Sequence, residues 1–231
     1  MEKVNEYVYP YHWGIIGFYK EFYEHPLSFV IPYLDPNSTV LEAGCGDGRL
    51  TSLYASKVKK VVAVDNQELP LSFARLIFNN LGILNVSFKK ANITSLPFSD
   101  GSFDSLLSFD VIEHVPVDVL PTVIKEYFRV LRPGGYFFIT TPNRKELRGR
   151  IFGHKTIDKH YYEYSIPELR KLFSPCVLEV SFKGIYVPFP FPKAEHFSNI
   201  IPFRYLFRFL IRLGRYFPSL STALLIIGRK K

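Results

Sequence analysis

Residues 39–50 read Thr39-Val40-Leu41-Glu42-Ala43-Gly44-Cys45-Gly46-Asp47-Gly48-Arg49-Leu50. An apolar run runs into a glycine-rich turn, and an amphipathic segment follows. Glycine belongs where the backbone turns tightly and where a ligand must approach the main chain with no side chain between them. Gly44, Gly46 and Gly48 give the spacing G-x-G-x-G. The next β-branched run, Lys60 to Asp65, ends on an acid 21 residues after Gly44, where a carboxylate can accept hydrogen bonds from ribose hydroxyls. Together they predict a nucleoside site at the C-terminal ends of adjacent strands. A dinucleotide fingerprint would place glycine at 49, but Arg49 stands there, which disfavours a ligand carrying a pyrophosphate.

Outward from this turn, short β-branched or aromatic runs alternate with amphipathic stretches, the pattern of βαβ units on a parallel sheet. Strands are predicted at 39–44, 60–65, 85–90, 103–110 and 136–142, then at 176–187 and 221–229. Helices are predicted near 48–57, 67–81, 117–131 and 167–173. The third is the most periodic: Leu120, Val123, Ile124, Tyr127, Phe128 and Leu131 recur at helical spacing before Pro133, Gly134 and Gly135. Residues 1–37, aromatic-rich and closed by Pro36 and Asn37, read as an N-terminal helical extension that can act as a lid. Residues 38–231 read as one domain carrying two irregular segments, 144–175 and 188–218, on the acceptor or membrane side. The fold expected is α/β, Rossmann-like and doubly wound, a seven-stranded mostly parallel sheet whose last strand is antiparallel.

The formal charge of +8 is unevenly spread. Residues 1–143 hold 12 basic and 15 acidic residues, net −3, and residues 144–231 hold 17 and 6, net +11. Most of the later arginines interleave with apolar residues, so nucleic acid is not the expected partner. In 203–217, Arg204, Arg208, Arg212 and Arg215 form one helical stripe beside Leu206, Phe207, Leu210, Ile211 and Leu213, with Pro202 in the first turn. Such a helix, 202–217, either lies in a membrane interface or packs on the core or on a second copy in a homodimer. No apolar run is long enough to span a bilayer, and the N-terminus lacks the apolar core of a signal peptide. Cys45 and Cys176 provide neither a disulfide framework nor metal-ligand spacing, so a cytoplasmic protein without a metal is expected, membrane-peripheral if 202–217 engages lipid.

Four segments in order, 40–50, 61–65, 96–115 and 129–143, resemble class I S-adenosylmethionine-dependent methyltransferases of the ubiquinone/menaquinone-methyltransferase-like group. The resemblance implies transfer of a methyl group from S-adenosylmethionine, with S-adenosylhomocysteine as product, to a small-molecule acceptor of lipophilic, quinone- or lipid-like character. It implies that Glu42, Gly44, Cys45, Gly46 and Gly48 line the methionine half of the cofactor and that Asp65 holds the ribose. Asn66 would flank the adenine, Asn92 would accept from its amino group, Ile93 would pack on the ring, and Ser108 and Phe109 would close the pocket.

On the acceptor side, His114 is either a base, an acceptor contact or a structural hydrogen-bonding residue, and Glu113 shares that ambiguity. His160, Tyr161 and Tyr162, with Tyr164, form either a lid or a packed loop. Tyr11, His12 and Trp13 form either the opposite wall of the acceptor pocket or an aromatic segment packed on the sheet. Asp65 can also cap the helix after it. Two rival functions stay open, a non-catalytic cofactor-binding scaffold and an RNA or protein methyltransferase; against the latter, Asp110-Val111-Ile112-Glu113 stands where an Asn/Asp-Pro-Pro-Tyr-type motif would be. Methyl transfer from a sulfonium needs mainly in-line positioning, with a base required only if the acceptor keeps its proton into the transition state.

Overall fold

β-Branched and aromatic residues at the predicted strands do pair into one sheet. The computed structural model describes residues 9–190, 197–198 and 200–231, so residues 1–8 of the expected extension and 191–196 and 199 of the second irregular segment lie outside the described residues. In chain order the elements are α1 (Gly17–Glu24), α2 (Leu27–Val30), β1 (Thr39–Ala43), α3 (Arg49–Tyr54), β2 (Lys60–Asp65), α4 (Glu68–Leu81), β3 (Val86–Lys90), β4 (Phe103–Phe109), α5 (Leu120–Val130), β5 (Leu131–Pro142), α6 (Leu147–Phe152), α7 (Ile166–Phe173), β6 (Val177–Ile185), α8 (Ile201–Gly214) and β7 (Ala223–Lys230). A 3-10 turn, Tyr11–Gly14, precedes α1.

The strand order is β3-β2-β1-β4-β5-β7-β6. β1 to β5 pair in parallel, and β7 runs antiparallel to both its neighbours. The chain winds outward from β1 to β3, then crosses back to β4, so the topological switch lies between β1 and β4. Open α/β sheets bind ligands outside the strand C-termini at that point.

Side chains alternate between two buried layers, as a strand's period of two requires. Leu41, Leu106, Phe137 and Leu224 face a layer with α5 and α7, where Val123, Phe128 and Phe173 meet them. Val40, Leu107, Phe138 and Leu225 face the opposite layer, with Val30, Tyr54 and Leu71. Covered on both faces, the central strands read as continuous apolar runs.

Several boundaries shift from the sequence reading, among them those of α5 and β5. α5 starts three residues later than predicted, at Leu120, with Pro121 in its first turn, where a missing N–H costs nothing. β5 starts at Leu131, earlier than predicted, because Leu131 pairs with Phe103 across an irregular step that contains Pro133, Gly134 and Gly135. The basic segment is helical as expected. α8 buries Phe207 and Ile211 against Phe18 of α1 and Tyr186, and Arg208 forms an ion pair with Glu21 at 2.6 Å.

Candidate active site at the switch point

The turn after β1 is built by left-handed backbone. Gly44 and Gly46 have φ of +79° and +53°, a region side chains avoid. A Cβ on Gly44 would also collide with Val111 of the loop after β4. The two loops therefore interlock at the switch point. The amides of Gly44 and Cys45 donate to the Val64 carbonyl at 2.8 and 3.0 Å, and the Gly46 amide donates to Asp65 Oδ2 at 3.0 Å.

Asp65 accepts through its other oxygen from the Gln67 amide at 2.9 Å, at the start of α4. One side chain thus ties the glycine turn to Gln67, the residue that precedes the first turn of α4. Burial pushes its carboxyl up, and the Gln67, Gly46 and Asn66 amides oppose that shift. Asn66 beside it is exposed.

Glu42 Oε2 accepts from the Thr51 and Tyr54 hydroxyls, both at 2.6 Å, so α3 is pinned to β1 through a fully buried carboxyl. Burial pushes the Glu42 carboxyl up to about 7, against the two hydroxyl hydrogen bonds. A raised folded-state value means that this group's contribution to stability is fully present below its ordinary 4.5 and is lost as the pH rises through about 7. Chemical denaturation at a series of pH values should therefore show Glu42→Gln gaining on the wild type between pH ~5 and ~8, by up to about 3 kcal/mol. Parallel curves would exclude a raised Glu42.

Cys45 is buried, and burial pushes its thiol up, leaving it a packing residue. Phe109 belongs to the same apolar layer. Ser108 is fully buried with its hydroxyl 3.1 Å from that of Tyr127 on α5, so only its backbone is available to the site. Asn92 makes a local turn, its Oδ1 accepting from the Thr94 amide at 3.0 Å, and Ile93 is half-buried against the α5 layer.

The N-terminal segment sits on the glycine turn through a residue the sequence reading passed over. Asp47 is fully buried and accepts from the His12 amide at 3.1 Å, with His12 Nδ1 3.1 Å from its other oxygen. The Trp13 indole donates to the Asp47 carbonyl at 3.0 Å, and the Arg49 guanidinium lies over the indole ring. The Tyr11 ring packs against that of His12, centroids 3.9 Å apart. Tyr23 of α1 was also unforeseen; burial first, then the Asp110 carboxylate, push its hydroxyl up.

After β4 the chain passes through a left-handed residue that is not glycine, Asp110, with φ +53°. Thr140 of β5 supports it, its hydroxyl accepting from the Asp110 amide at 3.0 Å and lying 2.9 Å from Oδ1. A non-glycine residue held there marks a backbone that its surroundings over-determine, a common feature of functional loops. Burial pushes the Asp110 carboxyl up, while Thr140 and then His114 and His160 pull it down. Glu113 is pushed well up by burial and by Asp110. The His114 and His160 rings meet edge to face at 4.8 Å. The 154–163 loop closes on them, with the Tyr161 amide donating to the Glu113 carbonyl at 2.8 Å.

Tyr161 is an exposed side chain, whereas Tyr162 donates to Glu168 at 2.7 Å and carries Arg144 on its ring. The structure thus brings the glycine turn, Asp65, Tyr11, His12, His114 and His160 to one end of the sheet, and it commits Tyr162 and the Ser108 hydroxyl to other partners.

A Rossmann-like sheet in this order, with a glycine turn and an acid at its switch point, is the architecture of class I methyltransferases, whose methyl donor is S-adenosylmethionine. Residues 34–173 match the model of a methyltransferase domain family, and the chain belongs to that family. A Mycolicibacterium smegmatis protein named "Probable S-adenosylmethionine-dependent methyltransferase" is 38% identical over 105 residues, 46% of this chain and 38% of its own length. The ubiquinone biosynthesis O-methyltransferase of Hahella chejuensis is 36% identical over 110 residues, 47% of this chain and 45% of that protein. The chain thus spans less than half the length of these relatives. A solved methyltransferase structure from Archaeoglobus fulgidus superposes with a TM-score of 0.65 at 18% identity, covering 92% of this chain and 98% of that one, which establishes the shared fold.

Proposed function

We propose that this chain transfers the methyl group of S-adenosylmethionine to a small lipophilic acceptor, quinone- or lipid-like, held between the glycine turn and the His114–His160 pair. The observation that carries this reading is the Gly46–Asp65 hydrogen bond, which fixes a glycine-rich turn beside an acid at the switch point. In the proposed complex Glu42 to Gly48 surround the methionine half of the cofactor, Asp65 and Asn66 the ribose, and Asn92 and Ile93 the adenine. The sulfonium carries its own activation, so what the protein supplies is alignment of the acceptor lone pair opposite sulfur in a water-poor cleft. Tyr11, His12 and Trp13 close one side, and the 154–163 loop closes the other. Calorimetric titration with S-adenosylmethionine tests the cofactor half of the proposal.

The lipophilic half draws on α8. Phe203, Tyr205, Leu206 and Phe209 are exposed on it, and Ile16 and Tyr19 are exposed at the start of α1 beside it. Arg204 and Arg212 are exposed on the same helix. Exposed aromatics rimmed by arginines suit the interface of an anionic bilayer. No described helix is long and apolar enough to cross a membrane. The site and this face together support a membrane-peripheral enzyme that meets its acceptor at a lipid surface. In co-sedimentation with phosphatidylglycerol vesicles, Phe203→Ser/Phe209→Ser should lower partitioning at least ~10-fold, given about 1.5–3 kcal/mol per buried aromatic. Equal partitioning of variant and wild type would remove the membrane from the proposal.

A further inference from the structure

Glu113 is 1% exposed, and its Oε2 accepts from the Thr141 hydroxyl at 3.0 Å. Its Oε1 is buried with no hydrogen-bond partner among the described residues. A buried carboxylate oxygen left unsatisfied is costly, and native proteins retain one where something else answers it. Ligating atoms of Glu113, His114 and His160 lie within 4.8 Å of one another. The two imidazoles are held from behind. His160 Nδ1 is 2.7 Å from Glu163 Oε1, and His114 Nδ1 is 3.2 Å from the Lys159 carbonyl. A carboxylate behind an imidazole, as Glu163 stands behind His160, fixes its tautomer and raises its basicity as a ligand.

We propose that Glu113, His114 and His160 bind one divalent transition ion, with Glu163 as the positioning residue behind His160. Two imidazoles and one carboxylate suit ions such as Zn2+ or Mn2+ better than the hard cations that require oxygen ligands throughout. Three protein ligands leave coordination positions open toward the acceptor side. The ligand class for those positions is a hydroxyl oxygen, of a phenol or an alcohol, which the ion would acidify and orient.

This role rests on the methyltransferase reading; the ion site does not. In the step, the bound hydroxyl releases its proton to solvent and a lone pair on oxygen forms the new O–CH3 bond. The C–S bond breaks with its electron pair returning to sulfur, so the cationic sulfonium becomes a neutral thioether. One proton is released and no oxidant or reductant is needed.

The test uses the full chain, stripped with a chelator and titrated without cofactor: Mn2+ followed by electron paramagnetic resonance of the free ion, and Zn2+ by calorimetry. One ion per chain is expected. His114 is exposed, so His114→Gln should fold as the wild type does; His160, 9% exposed at its side chain, is checked by circular dichroism, and each substitution to Gln should weaken binding at least ~10-fold. Glu163→Gln, which touches His160 and also the Ile157 amide and His154, should weaken it by about 10-fold. The same samples are then titrated with S-adenosylmethionine. Absence of stoichiometric ion binding in the folded wild type, or equal binding by the two histidine variants, overturns the ion site. An ion bound without S-adenosylmethionine would uphold the site and overturn the methyltransferase reading, and the cofactor bound without an ion would do the reverse.

Discussion

Asp65→Ala should weaken S-adenosylmethionine binding about 100-fold, and Gly46→Val should abolish measurable binding. The carboxylate has two tasks that alanine cannot perform. It receives the Gly46 amide, which fixes the turn, and in the proposed complex it accepts from the ribose hydroxyls; hydrogen bonds to a charged group are worth about 1.5–3 kcal/mol each. Losing one such bond to the ligand and one that orders its cradle accounts for the expected factor. Valine at 46 meets a different obstacle, since φ of +53° is a region that β-branched residues almost never occupy. The turn would have to rebuild, and the Gly46 amide would leave the Asp65 carboxylate that fixes it. Isothermal titration of wild type and both variants, with circular dichroism as the folding control, decides the matter. If either folded variant binds as tightly as the wild type, the ligand does not sit on this turn.

Gly184→Ala is expected to be the most destabilising single-methyl change in the chain, at about 3 kcal/mol or more, the upper end of what overpacking costs. Gly184 of β6 and Gly214 at the end of α8 meet backbone to backbone. A Cβ on Gly184 would stand 2.5 Å from the Gly214 carbonyl oxygen and 2.7 Å from Pro218 Cα. Neither is the end of a flexible side chain, so the strand and the helix must separate. Parting them would withdraw Phe207 and Ile211 from α1 and loosen the face proposed to meet lipid. Urea denaturation with tryptophan and far-ultraviolet readouts measures the loss, and a midpoint within error of the wild type would contradict the close packing.

The residues that announced themselves in the sequence did so for local reasons. A βαβ succession writes itself in periodicity, and Gly44, Gly46 and Gly48 are visible because backbone conformation alone demands them. Asp65 was visible through its distance from the turn. The acceptor side was harder to read, because what decides it is tertiary. Asp47 looks like an ordinary turn residue until His12 and Trp13, more than thirty positions earlier, are found on it. Glu113 and His114 lie adjacent, but only the fold brings His160 to them and Glu163 behind it. Ser108 sits in a strand whose pleat turns its hydroxyl toward α5, a direction no spacing rule reveals when both sheet faces are buried. The early start of β5 follows from an irregular pairing step, which carries no periodic signature.

The position of β7 bears on how the chain is made. It fills the slot between β5 and β6 and is synthesised after both of them. Among the described strands β6 has β7 as its sole partner, so as it leaves the ribosome it has no neighbour to pair with. The 37 residues between Ile185 and Ala223 take roughly 2–8 s to translate at ~5–20 residues per second. During that interval two strand edges, on β5 and on β6, stand open to foreign strands. Nascent chains of this protein should accordingly depend on chaperones until β7 has been made, since its eight residues, Ala223–Lys230, are what pair with both open edges.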